Sequence, residues 1–397
     1  ISIGSVSIVV PDMKRQKYTN LRYSNQYLED TRINNLSRFD FLNQKNVSNE
    51  FGDITALNQI GYTLKVLQKN KNTSFDVGIQ QLTGGGGDNI SVVSSTEILG
   101  SPRPSVLGFG CQNPESVCVN DRYQYWWDQN YGAFLRDSAN GMTVISDLGV
   151  KSFFARKKQE CNSAVSYKVL TSFNKKNDEV IVCFITKNVI VDPRDSSVSR
   201  DVFLSETIVF NEQDEVTKWT TFLSYDKLGV PIDYLTALGD TLVTFLNGQL
   251  YLEDDNVLFG NMFGEQKKMI IDVVGNADGE KIKVIDAIAL TTNLNKYIPN
   301  SLSNWRCDSV IVPPTSVNLT GGYTIIPANR FKMKEESLYA DVPRNINTLM
   351  SGSQQFKMLN GNPMRGQCVT FRLVNESSDS VILYSVVIKS TASELSK

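Results

Sequence analysis

Short runs in which apolar and polar residues alternate recur along the chain. Most come in pairs separated by turn residues, the pattern of half-buried strands. The pattern is densest over Thr207–Leu252, where TIVF, KWTTFL, LVTFL and QLYL follow one another and Asn247-Gly248 alone separates the last two. Such a link supplies both positive φ values of a type I′ turn. Four short strands at this spacing predict one blade of a β-propeller. Further pairs are predicted at Tyr123–Trp127 with Gly132–Leu135, at Tyr167–Phe173 with Val180–Ile185, and at Met269–Val274 with Lys281–Leu290. The run at Asp53–Leu57, a break at Gly61 and the run from Thr63 repeat the arrangement of Ile232–Phe245 around Gly239. Spacing of roughly 35–45 residues per double hairpin is that of propeller blades. A strand is predicted around Ser152–Ala155, and no amphipathic helix of three turns stands out.

The pattern changes after Thr291. A polar stretch, Asn293–Asn304, precedes strands at Trp305–Val312 and Gly322–Ile326 and a closing hairpin of Gln367–Val374 with Ser380–Lys389. The expected fold is all-β: an irregular segment over 1–51, a β-propeller over 52–300 and a C-terminal β domain over 301–397. Two stretches are too long for plain blade connections, Gln81–Val106 and Lys187–Val202. Both read as polar loops.

Composition changes the picture mainly by exclusion. The 397 residues include no histidine, which removes Ser-His-Asp triads, Cys-His dyads and His-based zinc sites together. The net charge of −2 gives no global field toward nucleic acid or anionic membrane. No apolar run approaches the ~20 residues of a membrane-spanning helix. The cysteines, Cys111, Cys118, Cys161, Cys183, Cys307 and Cys368, form no CxxC pair. Cys111 and Cys118 alone are close enough to suggest a small loop, and the scatter predicts free thiols in a reducing compartment. The chain opens on Ile1, which fits a trimmed chain or the product of a cleaved precursor.

Each candidate for chemistry has a plainer structural reading. Glu253-Asp254-Asp255 lacks the alternating oxygen ligands of a calcium loop and reads as a solvated hairpin end. Gly84–Gly87 lacks the GK[ST] of a phosphate loop and reads as a flexible connection. The basic clusters Lys14–Lys17, Arg156–Lys158 and Lys267-Lys268 read as solvated faces, and Tyr123–Trp127 as sheet core rather than a sugar platform. No residue is assigned to catalysis, to a cofactor or to a metal, and the chain is expected not to be an enzyme.

Several strings carry a resemblance. They are LRYSNQYLEDTRINNLSRF (Leu21–Phe39), GDITAL (Gly52–Leu57), CQNPES (Cys111–Ser116), SDLGVKSFF (Ser146–Phe154), TIVFNE (Thr207–Glu212), NGQLY (Asn247–Tyr251), FKMKEE (Phe331–Glu336) and YADVPRN (Tyr339–Asn345). Together they resemble the tail-hub, or muzzle, proteins of crAss-like phages of gut Bacteroidales, and more distantly the propeller-bearing nozzle proteins of short-tailed phages. The resemblance implies a virion protein of the distal tail, assembled in the bacterial cytoplasm. In that family it forms a ring, typically sixfold, that continues the DNA channel and acts in genome retention and ejection. The implied partners are further copies of the chain, neighbouring tail rings, an N-terminal cleavage fragment and, transiently, genomic DNA. The alternative class is an extracellular propeller that binds or hydrolyses carbohydrate.

Overall fold

The computed structural model describes residues 18–25, 35–83, 89–93, 98–138, 141–192, 195–213, 218–255, 257–293, 305–314, 321–348 and 351–393. It is nearly all-β: strands make up 53%, and two α-helices occur among the described residues. The chain divides into two compact units, Ile1–Asp254 and Asp255–Lys397. The sequence pattern puts this division near residue 300. Strand pairing moves it, because Met269–Gly275 and Lys283–Thr292 bond to strands of the C-terminal unit. They also do not pair with each other, against the hairpin expected there.

Four antiparallel meanders form most of the first unit. The first joins Ile54–Ile60, Thr63–Gln68, Asn72–Asp76 and Arg103–Pro104. The second joins Cys118–Val119, Gln124–Asp128, Ala133–Ser138 and Gly141–Val144. The third joins Ser166–Asn174, Glu179–Asp192, Asp195–Asn211 and Lys218–Leu223, and the fourth Tyr234–Leu238, Thr241–Leu246 and Gln249–Leu252. Up-and-down sheets in chain order are the content of propeller blades. The tight turns fall where the sequence predicts them: Asn247 and Gly248 both have positive φ, 52° and 76°. Thr207–Leu252 is not one blade, however. Thr207–Asn211 ends a 17-residue strand of the third sheet, and the partner of Thr241–Leu246 on its other side is Tyr234–Leu238. Residues before 52 include paired strands, Asn20–Arg22 and Gln44–Asn46, and Leu21 and Val47 pack with Val66 and Phe75 of the first sheet.

Lys151–Ser163 is an α-helix, where the sequence predicts a strand. Phe153, Phe154, Lys157 and Cys161 form its buried stripe, at helical spacing. Phe154 packs on Trp127, Phe134, Phe184 and Trp219 in a core shared by the second and third sheets. A lysine in the apolar stripe hides the period. Its side chain is 3% exposed, and its ammonium is paired with Glu160 at 2.6 Å and with Glu206. Burial pushes the Glu206 carboxyl up, but Lys157 and Arg156 overcome it and hold the pKa below the usual range.

A clasp ties the first sheet to the second. Cys111 N donates to Gln68 O (2.9 Å), Gln112 Nε2 to Lys69 O (2.5 Å) and Trp126 Nε1 to Gly110 O (3.0 Å). The buried Asp128 carboxylate accepts from Gly110 N at 2.8 Å, and from Asn130 N and Tyr131 N of its own turn. Leu67, Cys111, Trp126 and Leu135 fill the space between.

Neither long connection is a plain loop. Ile79–Thr83 pairs with Asn89–Val93, and Arg103–Pro104 bonds to Thr73 and Ser74. Lys187–Val202 continues the two central strands of the third sheet as a ribbon, in register from Lys187↔Phe203 to Val191↔Ser199. Its Val189, Ile190 and Val191 are β-branched and suit extended backbone.

Two facing sheets form most of the second unit. One runs Met269–Gly275, Val369–Asn375, Trp305–Val312, Gly322–Ile326. The other centres on Lys283–Thr292, with Ser337–Asp341, Arg365–Gly366 and Leu383–Ala392 bonded to it and Lys332–Lys334 beyond. Trp305, Phe371, Ile288, Leu290 and Leu338 meet in its core. The expected closing hairpin does not form: Val369–Asn375 lies in the first of these sheets and Leu383–Ala392 in the second.

Candidate functional site

The first strands of the second, third and fourth sheets, Cys118–Val119, Ser166–Asn174 and Tyr234–Leu238, are each the edge of their sheet. A cleft of about 910 Å³ opens along them. One wall is the turn into Gln124–Asp128. Asn120 Oδ1 accepts from Arg122 N (2.9 Å) and Tyr123 N (2.6 Å), an Asx turn that sets Asp121 and Arg122 at the rim. The opposite wall is Tyr234–Ala237.

Between them lies the end of Ser166–Asn174, which contributes Thr171, Ser172 and Phe173. Thr171 Oγ1 is buried and has no hydrogen-bond partner. Glu212, just past the third strand of that sheet, is positioned through its backbone, whose N–H donates to Asp178 O at 2.9 Å. Its side chain is 8% exposed. It accepts from Tyr125 Oη (2.7 Å) and twice from Arg136 Nη1 (3.0 and 3.2 Å). The Arg136 guanidinium also lies 4.8 Å from the Tyr123 ring centroid, a cation–π contact. Burial, and then Glu212, push the Tyr125 phenol far above its ordinary pKa, so it stays a hydrogen-bond donor. At the rim Lys175 pairs with Asp240 at 3.1 Å.

Asp121, Arg122, Lys175, Asp178 and Glu212 bring charges of both signs to the lining of the cleft. Among the described residues no group of three or more His, Cys, Asp or Glu side chains could hold a metal ion.

The residues singled out in the sequence lie elsewhere, except Cys118 and Tyr123. Tyr123 lines the cleft, while Tyr125, Trp126 and Trp127 are fully buried core. Arg156 pairs with Glu160 (2.6 Å) and Glu206 (2.9 Å), Lys267 with Glu265 (3.1 Å) and Lys268 with Glu376 (2.9 Å). Arg156, Lys157, Lys267 and Lys268 are therefore ion-paired within the fold. Glu253 accepts from Thr244 Oγ1 at 2.7 Å, and burial, then Asp254, raise its pKa. Lys14–Lys17 and Gly84–Gly87 lie outside the described residues. Cys111 and Cys118 are both thiols, Cys111 Sγ donating to Asn113 O at 3.2 Å. Thr171 and Glu212 escaped sequence reasoning. The one signal was a pair of polar residues, Thr171-Ser172, inside the run Tyr167–Phe173.

No family model matches the chain, and no curated protein matches it. Among solved structures, the crystal structure of Citrobacter koseri AztD aligns with 55% of this chain and 65% of its own, at 11% identity and a TM-score of 0.27. The chain thus spans just under two thirds of that structure, and the likeness assigns it no function.

Proposed function

We propose that the protein is a structural component of a phage tail, one copy of a ring that extends the DNA channel and takes part in genome retention and ejection. The sequence resemblance supplies this reading. The structural observation that supports it most is the ribbon at Lys187–Val202. Beyond the Ser166↔Lys187 pair no third strand among the described residues flanks it on that side, and it runs five further residue pairs, roughly 17 Å at ~3.3 Å per residue. A two-stranded ribbon is marginal on its own in water. This one presents exposed Val189 on one face and exposed Ile190 on the other, with exposed Phe203 and Leu204 at its base. An arm that carries an exposed apolar residue among polar ones on each face suits insertion between neighbours. In a cyclic ring such contacts are head-to-tail, with an arm on one side of each subunit and its receptor on the other.

The DNA contact in this reading is weak and independent of sequence. Each additional cation–phosphate contact would strengthen retention and slow ejection, and the described basic clusters at Arg156–Lys158 and Lys267-Lys268 carry internal ion pairs. The test is light scattering and negative-stain imaging of the full chain beside a variant in which a Gly-Asn turn replaces Asn188–Val202. The intact chain should form rings, sixfold as in the family it resembles, and the variant should be a monomer with an unchanged unfolding midpoint. An intact chain that is monomeric and missing from purified particles defeats the reading, as does a variant that assembles normally.

A further inference from the structure

One sheet of the second unit gathers positive charge on the face turned away from its core. In Ser337–Asp341, Leu338 and Ala340 belong to the core, so Ser337, Tyr339 and Asp341 share the opposite face. Lys332 and Lys334 pair with Tyr339 and Ser337 and point the same way. On the other side Ala289 and Ala287 stand beside Tyr339 and Asp341, and Lys389 lies next to Ala287 one strand further on. These two small side chains leave room for longer ones to lie across the sheet. The Lys334 and Lys389 ammonium groups reach the Tyr339 ring from strands on opposite sides of it, each 5.5 Å from its centroid.

Beside Tyr339 opens a hollow of about 540 Å³, within the ~300–1,000 Å³ range of small-molecule sites. Arg330 and Lys332 line it with Tyr339 and Asp341, and Pro327, Met358 and Leu359 give it an apolar side. Among the described residues none of Arg330, Lys332, Lys334 and Lys389 forms an ion pair, and the three lysines are exposed. The carboxylates that act on Tyr339 are Asp341, which accepts its phenol hydrogen bond, and Asp286. Four cations against these two leave a surplus of about two charges. Like charges held together repel, and a dianion between them removes the repulsion. A phosphate monoester carries about −1.5 to −2 at pH 7. The positive region is also short. Glu335 and Glu336 form the turn beyond Lys334, and Asp341 stands at the other end, so a strand of phosphates running past would meet carboxylates.

We infer that this hollow binds a small phosphate monoester. Arg330 and Lys332 hold the phosphate oxygens in charge-assisted hydrogen bonds. Lys334 and Lys389, steadied on Tyr339, add to the attraction, and the organic part lies against Met358 and Leu359. The inference does not rest on the ring reading, since one copy carries every residue of the hollow.

The test is calorimetric titration of the full chain, at roughly physiological salt, with phenyl phosphate, inorganic phosphate, acetate and a single-stranded oligodeoxynucleotide. Phenyl phosphate should bind once per chain, more tightly than inorganic phosphate, and acetate should not bind. Arg330→Gln and Lys332→Gln should each weaken phenyl phosphate by roughly tenfold, the worth of a charge-assisted hydrogen bond. Lys281→Gln, at an exposed lysine 3.9 Å from Asp278 in the same unit, should leave the affinity unchanged. Without ligand neither Arg330→Gln nor Lys332→Gln should lower the unfolding midpoint, because each removes an unpaired cation. Several results would overturn the proposal. They are no saturable binding of phenyl phosphate, equal affinity for inorganic phosphate, preference for acetate or the oligonucleotide, and wild-type affinity in both Arg330→Gln and Lys332→Gln.

Discussion

Replacing Gly110 with alanine should unfasten the first sheet from the second. A Cβ there would lie 2.5 Å from the Asn70 nitrogen and closer still to the Lys69 carbonyl. Comfortable contact needs ~3.5 Å, so the segment must retreat by about 1 Å. That lengthens three hydrogen bonds: Cys111 N to Gln68 O, Gln112 Nε2 to Lys69 O, and Trp126 Nε1 to Gly110 O. At ~0.5–1.5 kcal/mol each they account for roughly 1.5–4.5 kcal/mol. Strained packing around Leu67 and Trp126 adds about 1–3 kcal/mol. The stiffer unfolded chain offsets less than about 1 kcal/mol. The net loss centres near 4 kcal/mol, or roughly 8–16 °C in the melting temperature of a unit this size. Gly108→Ala is the control two residues away, where a Cβ would meet only Tyr131 Oη, at an ordinary 3.8 Å. Scanning calorimetry should show the first unit's transition falling steeply in Gly110→Ala and staying within about 0.5 kcal/mol of wild type in Gly108→Ala. A Gly110→Ala protein that melts with the wild type would refute the steric argument, as would a Gly108→Ala protein that falls equally far.

Glu253→Gln should raise the unfolding midpoint at pH 7, since Gln can still accept from Thr244 Oγ1 and carries no buried charge. The folded pKa of Glu253 lies above its unfolded value, so the native state binds the extra proton and wild-type stability declines as pH rises from the unfolded to the folded pKa. The advantage of the variant should therefore shrink as pH falls through the folded pKa and be gone below about 4.3; an advantage independent of pH would contradict the assignment. Burial pushes the Cys111 and Cys161 thiols up to about 11 and Cys307 to about 12, and raises Cys118 and Cys183 as well. An aromatic disulfide reagent should accordingly label these five slowly at pH 8 and all six cysteines rapidly in guanidinium; fast native labelling of Cys161 would show that the helix stripe opens.

What the sequence displayed, it displayed locally. The hairpins at Tyr123–Leu135, Tyr167–Ile185 and Leu242–Leu252 were legible because each partner lies one turn away and the turn residues announce themselves. The Lys151–Ser163 helix was not, because Lys157 occupies a core position that only Glu160 and Glu206, brought in by folding, make tolerable. The ribbon read as a loop because Asp192, Asp195 and Arg200 broke the apolar run, although strands outside a sheet keep polar residues freely. The pairing of Met269–Gly275 with Val369–Asn375 had no local signature at all. The cleft stayed hidden for the same reason. Four separate segments line it, and only Thr171-Ser172 departs from its surroundings in sequence.

The two units place different demands on synthesis. Each meander of the first closes on neighbours made moments earlier, so it can form while the chain is still emerging. The second has no such option. Lys283–Thr292 sits between Ser337–Asp341 and Leu383–Ala392, its partner about one hundred residues downstream. Until that last strand leaves the ribosome, the edge of Lys283–Thr292 and the apolar faces of Ile288 and Leu290 stay open. At ~5–20 residues per second this amounts to an exposure of roughly 5–20 s. Non-local pairing also closes slowly once it begins. Slowing the ribosome over the final hundred codons should thus raise aggregation of nascent chains, whereas the same delay within the first unit should leave the yield unchanged.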